Sequence, residues 1–369
     1  MNALHALPSR LPIVQAPMAG AQASRLALAV CAAGGLGSLP CATLSPEALA
    51  AELSALRAQA AGPWNLNFFC HRPPPADAAR DARWQARLAP WHARWGSTPG
   101  AGGAGRAPFS HALADRVEAG GGPGAMPSVV SFHFGLPAPD LLARVRGWGA
   151  AVWSTATTVE EARWLADQGV DAVIAQGLEA GGHRGHFLAP GRGQWLEEVG
   201  ADPCDPQVLA AQAGSLALLP QVVAAVDVPV IAAGGFATPE GVAVARLLGA
   251  SAVQVGTAYL LCPEADTAPL HRAALQAARE APGGAVTALT NLYTGRPARG
   301  LLTGFMREAG PIDAAAPAFP GATAALAPLR AAAEAAGSTD FTPLWSGQNL
   351  QGCSGRPAGE LTRQLAAGW

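Results

Sequence analysis

Eight short apolar runs, each typical of a buried β-strand, are the feature of this sequence that most restricts its fold. Most of them are followed by a stretch with helical character. Strands that are apolar on both faces and alternate with helices are typical of parallel sheets covered by helices. The runs are LPIVQAP (11–17), GGLGSLP (34–40), WNLNFFC (64–70), SVVSFHF (128–134), GAAVWST (149–155), VDAVIAQ (170–176), VPVIAAGG (228–235) and ASAVQVGT (250–257).

Eight such units predict an α/β fold, specifically a (β/α)8 TIM barrel, with a doubly wound open sheet as the structural alternative. The stretch TTVEEARWLADQG between the fifth and sixth strands shows the helical pattern in detail, because it has a threonine cap, early glutamates and a terminal glycine at Gly169. A chain of 369 residues is long enough for one barrel and a smaller second domain.

Two segments do not follow the strand–helix repeat. Residues 73–124 are rich in Pro, Ala, Arg and Gly, and the chain beyond about Pro263 has helical patterns such as LHRAALQAAREA. We therefore predict that residues 1–72 and 125–262 form the barrel, and that residues 73–124 and 263–369 form a smaller, mostly helical domain over its mouth. GAGGAG (100–105) has the spacing of a dinucleotide fingerprint but lacks the preceding strand and following helix, so we interpret it as a loop.

Composition excludes several classes of function. A net charge of -2 provides no basic surface for nucleic acid. No apolar stretch reaches the length of a membrane helix, and the N-terminal residues lack the apolar region of a signal peptide, so we expect a cytoplasmic protein. Six scattered cysteines without a CxxC pair indicate reduced thiols. All 24 basic residues are arginine, which excludes a lysine Schiff base, a pyridoxal phosphate anchor and a P-loop.

Polar side chains fall where the predicted strands end, which is where barrels of this type bind their ligands. Amides and hydroxyls dominate the set, and they suit a neutral ligand with many hydrogen-bonding groups, such as a flavin ring. The glycines after the seventh and eighth strands, Gly234, Gly235 and Gly256, could form a backbone cradle for a phosphate or only tight turns. The set of strand-end residues is Gln15, Met18, Asn67, His133, Ser154, Gln176, His183 and Gln254.

His183 lies in a glycine-rich stretch, QGLEAGGHRGH (176–186). Glycines would allow this loop to pass close over a planar cofactor and hold His183 above the ring, where it could act as base, acid or hydrogen-bond donor. The alternative is an ordinary solvent-exposed loop histidine. Glu179, His183 and His186 would need helical spacing to bind a metal together, and the glycines disfavour a helix, so we predict no metal.

Six sequence blocks resemble the class I nitronate monooxygenases, formerly called 2-nitropropane dioxygenases, within the FMN-dependent TIM-barrel superfamily. They occur in order from about Ile13 to Gln348. Residues 72–124 do not align with the family pattern, so no pocket residue is assigned there. The blocks are QAPMAG (15–20), SFHFG (131–135), DAVIAQGLEAGGHRG (171–185), LLPQVVAAVDVPVIAAGG (218–235), QVGTAYLLCPEA (254–265) and LTNLYTGRPARG (289–300).

The resemblance implies a bound FMN and an active-site histidine, which corresponds to His183. It also implies that Tyr293 lines the substrate pocket, and we predict that His133 lines it as well. The phosphate contacts would be Gly234 and Gly235. The full set of implied flavin contacts is Pro17, Met18, Asn67, Gln176, Gly181, Gly182, Gly214, Gly234, Gly235, Gln254, Val255, Gly256 and Thr257.

The function that the resemblance implies is FMN-dependent oxidation of alkyl nitronates, with propionate 3-nitronate as a candidate, by O2 to a carbonyl compound plus nitrite or nitrate. His183 would hold the nitro oxygens or remove the α-proton of a neutral nitroalkane. The main alternative is an NAD(P)H-dependent FMN quinone reductase or enoyl-thioester reductase, and a third is a flavin-binding or storage protein. We expect a small-molecule nitronate and O2 as partners, without nucleic acid or membrane, and the sequence carries no prediction of oligomeric state.

Overall fold

An eight-stranded parallel sheet closes into a barrel in the computed structural model, which describes residues 7–100, 106–122 and 124–369. Its strand order is β1-β9-β8-β6-β5-β4-β3-β2. The two end strands meet, because Gln15 N donates to Leu36 O (2.9 Å) and Leu36 N donates to Ile13 O (2.9 Å). The structure is therefore a barrel, as predicted, and not the alternative doubly wound open sheet. The strands are β1 (Ile13–Gln15), β2 (Gly37–Pro40), β3 (Trp64–Phe69), β4 (Val129–His133), β5 (Ala151–Ala156), β6 (Ala172–Gln176), β8 (Val230–Ala233) and β9 (Ala252–Val255), with β7 (Gly182–His183) in a loop.

Helices surround the barrel and also form a layer above its mouth. α1, α2, α4, α5, α6, α8, α9 and α13 lie against the barrel strands or against one another, whereas α3 packs on α12. A 3-10 helix, Thr257–Leu261, follows the last barrel strand. The helices are α1 (Ser24–Ala33), α2 (Pro46–Gln59), α3 (Ala78–Trp95), α4 (His111–Glu118), α5 (Pro139–Gly147), α6 (Val159–Asp167), α7 (Pro206–Ala210), α8 (Ser215–Val223), α9 (Pro239–Leu247), α10 (Pro269–Glu280), α11 (Gly304–Ala309), α12 (Ala322–Ala335) and α13 (Ala358–Ala366).

The predicted helix between the fifth and sixth strands is α6, and its ends are where the sequence pattern places them. Thr158 caps the helix by accepting a hydrogen bond from Glu161 N (3.2 Å). Gly169, just beyond the end of the helix, has a φ of 75°, which favours glycine. Local capping chemistry therefore determines both boundaries.

The layer above the barrel mouth has a hydrophobic cluster of its own, which joins the 73–124 segment to the C-terminal part of the chain. Trp84 and Leu88 of α3 pack there with Phe305 of α11 and Leu329 of α12. The layer also contains an antiparallel sheet, in which β11 (Ala298–Leu301) pairs with β10 (Thr287–Thr290) and with the two-residue β7. It is therefore less exclusively helical than we predicted, because a loop of the barrel completes its sheet.

The division into two domains stays a prediction. Two helices inside the ranges assigned to the smaller domain lie on the barrel, since α4 contacts α2 and α5, and α13 contacts α1 and α9. Residues 101–105, which carry most of the GAGGAG motif, lie outside the described residues.

All six cysteines are buried and unpaired. Among residues 7–100, 106–122 and 124–369, no helix combines the length and the apolar character that a membrane span requires.

Candidate functional site

A cavity of about 330 Å³ opens at the carboxyl ends of the barrel strands, a volume within the range of small-molecule sites. Four of the residues that we predicted at this end of the barrel, Gln15, Ser154, Gly214 and Tyr293, do not line this cavity. The predicted residues that do line it are Pro17, Met18, Asn67, His133, Gln176, Gly181, Gly182, His183, Gly234, Gly235, Gln254, Val255, Gly256 and Thr257.

His183 is fixed at both its ring and its backbone. Its Nε2 lies 2.9 Å from Thr294 Oγ1. Its carbonyl oxygen accepts hydrogen bonds from Gln176 Nε2 (3.0 Å) and from His133 Nε2 (3.2 Å). Because His133 Nε2 must carry the proton to donate to a carbonyl, its Nδ1 accepts from Thr155 Oγ1 (3.1 Å). The imidazole of His183 is therefore held in one orientation instead of moving with a free loop.

Both histidines at this end of the cavity are neutral at pH 7. Burial lowers the pKa of His183 well below its usual value of 6.5, and the positive charge of Arg106 lowers it further. Burial likewise lowers the pKa of His133 to about 3. A neutral imidazole has an unprotonated nitrogen, so His183 can accept a proton or a hydrogen bond.

An aromatic wall surrounds the His183 ring. The centroids of Phe69 and Phe134 lie 6.1 and 6.0 Å from that of His183, and those of Phe319 and Trp345 lie at 5.3 and 5.6 Å. Phe69 and Phe134 come from the ends of barrel strands, whereas Phe319 and Trp345 come from the upper layer. These rings pack around the half-buried imidazole and reduce its contact with water, which contributes to its lowered pKa.

Arg184, the residue after His183, anchors the loop through buried hydrogen bonds. Arg184 is completely buried, and its guanidinium donates to the carbonyl oxygens of Gly177 (2.6 Å) and Gln176 (2.8 Å) and to Gln212 Oε1 (2.9 Å). Burial lowers the pKa of Arg184 to about 9, which still leaves it charged at neutral pH. Removing this charge would leave three acceptors unpaired in the interior.

Two glycines of this loop allow it to pack closely against the protein itself. A Cβ on Gly181 would lie 2.5 Å from Gly347 N, and one on Gly185 would lie 2.7 Å from Thr155 Cγ2. Both distances are too short for real atoms. Gly181 and Gly182 also line the cavity, and the clearance over a planar cofactor stays a prediction.

Glu179, His183 and His186 do not converge on one point. The carboxylate of Glu179 accepts from Ser215 N (2.8 Å) and Ser215 Oγ (2.8 Å), while His186 Nε2 donates to Pro203 O (3.0 Å). Within the part of the chain that the structure describes, no group of three His, Cys, Asp or Glu side chains has the geometry of a metal site.

The glycine turns after β8 and β9 leave hydrogen-bond donors available at the cavity. Gly234 and Gly235 have φ values of 107° and 80°, a left-handed conformation that favours glycine. Among the hydrogen bonds of the described residues, none uses the N–H groups of Gly235, Gly256 and Thr257. Three free backbone donors at one end of a cavity suit an anion such as phosphate.

Gln254 provides a hydrogen-bond acceptor without a partner at the same cavity. Its Oε1 is buried, lines the same cavity and accepts no hydrogen bond from any described residue. An N–H or O–H donor from a ligand or a water molecule would satisfy this acceptor, because leaving it unpaired costs about 1–3 kcal/mol.

Gly214 lies behind Glu179 and not at the cavity. A Cβ on Gly214 would be 3.0 Å from Glu179 Oε1, and the carboxylate of Glu179 occupies the N-terminus of α8. Glu179 lines the cavity in its place.

Tyr293 lies behind Trp345. Its side chain is only 4% exposed, and its hydroxyl pairs with Thr303 Oγ1 (2.7 Å) and Asp340 O (3.1 Å). Its ring packs edge-on against that of Trp345 at 5.8 Å, and Trp345 is the residue that lines the cavity. Tyr293 supports the pocket wall and does not form its surface.

Sequence reasoning missed several residues of the cavity. Arg106 comes from residues 72–124, where we assigned no pocket residue, and Trp345 and Asn349 come from the C-terminal part of the chain. Asn349 Nδ2 donates to Gly235 O (2.8 Å), which fixes one of the glycine turns. Phe134 has a φ of 68°, unusual for a bulky residue, and such strain often occurs at functional sites.

The comparisons with known proteins agree on one family. The sequence model described as nitronate monooxygenase matches residues 2–368. The nitronate monooxygenase of Paraburkholderia phytofirmans is 38% identical, with coverage of 96% of this chain and 91% of that protein. The nitronate monooxygenase of Pseudomonas aeruginosa is 39% identical, with 96% and 95% covered.

Two solved structures are similar to this chain over nearly its whole length. The nitroalkane oxidase from Streptomyces ansochromogenes superposes with a TM-score of 0.84 at 38% identity, covering 98% of this chain and 96% of that chain. FabK from Thermotoga maritima superposes with a TM-score of 0.65 at 24% identity, covering 98% of this chain and 93% of that chain, and shows similarity of fold alone.

Proposed function

The chain belongs to the nitronate monooxygenase family, and from that membership and the geometry of the cavity we propose that it uses FMN and O2 to oxidise alkyl nitronates to carbonyl compounds plus nitrite or nitrate. One observation carries the proposal. His183 lines the same cavity as the glycine turns with free N–H groups. Thr294 contacts its neutral imidazole, and Gln176 and His133 hold its backbone carbonyl.

The residues of the cavity fit FMN at two places. Gly235, Gly256 and Thr257 would donate their N–H groups to the phosphate, and the absence of lysine means that no ammonium group competes for that role. Gln254 Oε1 would accept a hydrogen bond from an N–H of the flavin ring. When bound, FMN supplies the electron acceptor of the oxidation. The other contacts that we propose are Pro17, Met18, Asn67, Val255, Gln176, Gly181, Gly182 and Gly234, all of which line the cavity.

The proposed role of His183 follows from its tautomer. We propose that Thr294 Oγ1 donates its own proton to Arg296 O (3.4 Å) and accepts a hydrogen bond from His183 Nε2 (2.9 Å). Nε2 then carries the proton and Nδ1 is free to accept one. With a neutral nitroalkane, Nδ1 would remove the α-proton, and with a preformed nitronate the imidazole would orient the substrate.

The upper layer would exclude water from the reaction. Phe319 and Trp345, which flank His183, both lie in the C-terminal part that we assigned to the smaller domain. We propose that this layer, formed by parts of residues 73–124 and 263–369, acts as the cover of the substrate pocket.

The purified protein tests the proposal directly. O2 consumption and nitrite release should be measured with ethylnitronate, nitroethane, NADH and NADPH in parallel. We expect oxygen uptake with ethylnitronate in the absence of any nicotinamide, and no rapid bleaching of the flavin by NADPH under anaerobic conditions. Rapid bleaching by NADPH without oxygen uptake on ethylnitronate would support the reductase alternative instead.

A further inference from the structure

Arg106 brings an unpaired positive charge to the cavity. Its Nη1 is buried, and no acceptor among the described residues binds it. Arg106 belongs to none of the ion pairs of the described chain. Burial lowers the pKa of its guanidinium, which is the direction expected for a cation that has lost water without gaining an acid. Such a group requires an anionic partner from outside the chain.

The position of Arg106 relative to His183 is fixed by the fold. The Arg106 Cζ lies 5.9 Å from the centre of the Phe319 ring, and that ring lies 5.3 Å from the imidazole of His183. Three residues later, Phe109 N donates to Phe69 O (2.8 Å) at the end of β3, and the Phe109 ring packs 4.5 Å from that of Phe68. The segment that carries Arg106 is therefore anchored to the barrel next to the active-site histidine.

Among the described residues, no acid at this end of the cavity neutralises Arg106. The nearby imidazoles of His71, His133 and His183 are neutral, since burial lowers the pKa of each. The carboxylate of Glu179 is bound by Ser215. Arg296 adds another positive charge beyond Phe134, although it has its own partner in Glu197 (3.1 Å).

We propose that Arg106 is a specificity-determining residue that binds the anionic nitro oxygens of the substrate, so that this enzyme selects nitronates over neutral nitroalkanes. This inference rests on the proposed function. A planar guanidinium matches two oxygens that share one negative charge, as in a nitronate, and a hydrogen bond of this kind is stronger than one between neutral groups. The neutral nitroalkane carries no net charge and gains less from the contact.

Binding of nitrate, a planar and unreactive anion, tests the site without turnover. Isothermal titration calorimetry on the holoenzyme should show nitrate binding that R106Q weakens by about 10- to 100-fold, with R106K intermediate. R83Q is the matched control, because Arg83 lies on α3 in the same segment, is exposed, and loses the same charge. We expect R83Q to bind nitrate as the parent protein does.

Steady-state kinetics provide the second measurement. R106Q should raise the KM for ethylnitronate by about 10- to 100-fold while changing the KM for nitroethane less than about 3-fold. Nitrate binding that is absent from the parent protein, or equal in the parent, R106Q and R106K, would overturn the proposal. A change in flavin reduction potential without any change in nitrate affinity would overturn it as well.

These experiments distinguish a failure of the proposed function from a failure of the proposed anion site at Arg106. If the parent protein does not oxidise nitronates but R106Q loses nitrate binding, the proposed function is wrong and the anion site stands. If nitronate oxidation is observed and R106Q leaves both nitrate affinity and the KM for ethylnitronate unchanged, the anion site is wrong and the function stands. Flavin content and circular dichroism of each variant confirm that it is folded.

Discussion

Thr294 Oγ1 lies 2.9 Å from Nε2 of His183, and the same hydroxyl donates to Arg296 O at 3.4 Å. In the tautomer that we propose, Nε2 of His183 carries the proton and Nδ1 is unprotonated. Thr294 comes from the turn between β10 and β11, so a residue of the upper layer contacts the imidazole of a histidine in a barrel loop. The proposal therefore gives the upper layer a part in orienting His183 in addition to enclosing the site.

Thr294→Val should slow turnover of nitroethane by about 3- to 30-fold, because the tautomer and orientation of His183 would no longer be fixed. Thr294→Ser keeps the hydroxyl and should restore most of the rate. The kcat values of the two variants with nitroethane check this prediction. Equal rates for the parent and Thr294→Val would contradict the assigned tautomer.

His183→Asn should retain FMN, because the carbonyl that Gln176 and His133 hold belongs to the backbone and is unchanged by the substitution. If His183 is the base, the rate with nitroethane should fall by about 10²–10⁴-fold and the rate with preformed ethylnitronate much less. If it stabilises the anion, both rates should fall. A variant as fast as the parent with both substrates would assign His183 neither role.

The barrel strands could be predicted from sequence because each is a short, continuous apolar run whose burial on both faces follows from its composition. The sheet of the upper layer could not. Gly182 and His183 pair with Arg299 and Ala298, more than one hundred residues later in the chain, and a two-residue strand has no periodicity to detect. Its pairing depends on tertiary contacts that the local pattern does not contain.

The site, too, could be predicted from the local sequence pattern only in part. The strand-end residues Asn67, Gln176 and Gln254 were predictable because barrel topology brings strand ends together. Arg106 was not, since it follows a Pro/Gly-rich segment without a recognisable pattern. Tyr293 was placed by resemblance at the pocket, but its hydroxyl is used by Thr303 and Asp340, and the larger ring of Trp345 covers it.

The protein should purify with FMN that is bound without a covalent link, and acid precipitation should release a yellow supernatant. Gln254→Leu should weaken FMN binding by about 5- to 150-fold, because it removes the unpaired acceptor that we assign to a flavin N–H, a contact of about 1–3 kcal/mol. Fluorescence titration of the apoprotein with FMN measures this change. Gln221→Leu, on the exposed face of α8, is the control.

Recovery of FAD, or of flavin that stays in the acid pellet, would contradict the assignment of the glycine turns to a phosphate of FMN. An unchanged FMN affinity in Gln254→Leu would contradict only the proposed hydrogen bond between Gln254 and the flavin ring. The two results therefore test the two ends of the proposed cofactor site independently.

Stability should decrease below pH 6.5 because buried histidines must take up protons when the chain unfolds. His186 illustrates the sign. Burial lowers its pKa well below 6.5 in the folded state, and the charges of Arg296 and Arg184 lower it further. The unfolded state then binds one more proton than the folded state, so the stabilisation is complete above pH 6.5 and is lost as the pH falls below it.

His186→Gln removes this titration and should reduce the slope of unfolding free energy against pH by about 1.4 kcal/mol per pH unit between pH 5.5 and 4.5. Urea unfolding of the holoprotein at a series of pH values, with a fixed FMN concentration, gives the slope. His111→Gln, which replaces a histidine whose side chain is 62% exposed, serves as the matched control. An identical slope in the parent and in His186→Gln would mean that His186 is protonated in the folded protein, contrary to its burial and its two arginine neighbours.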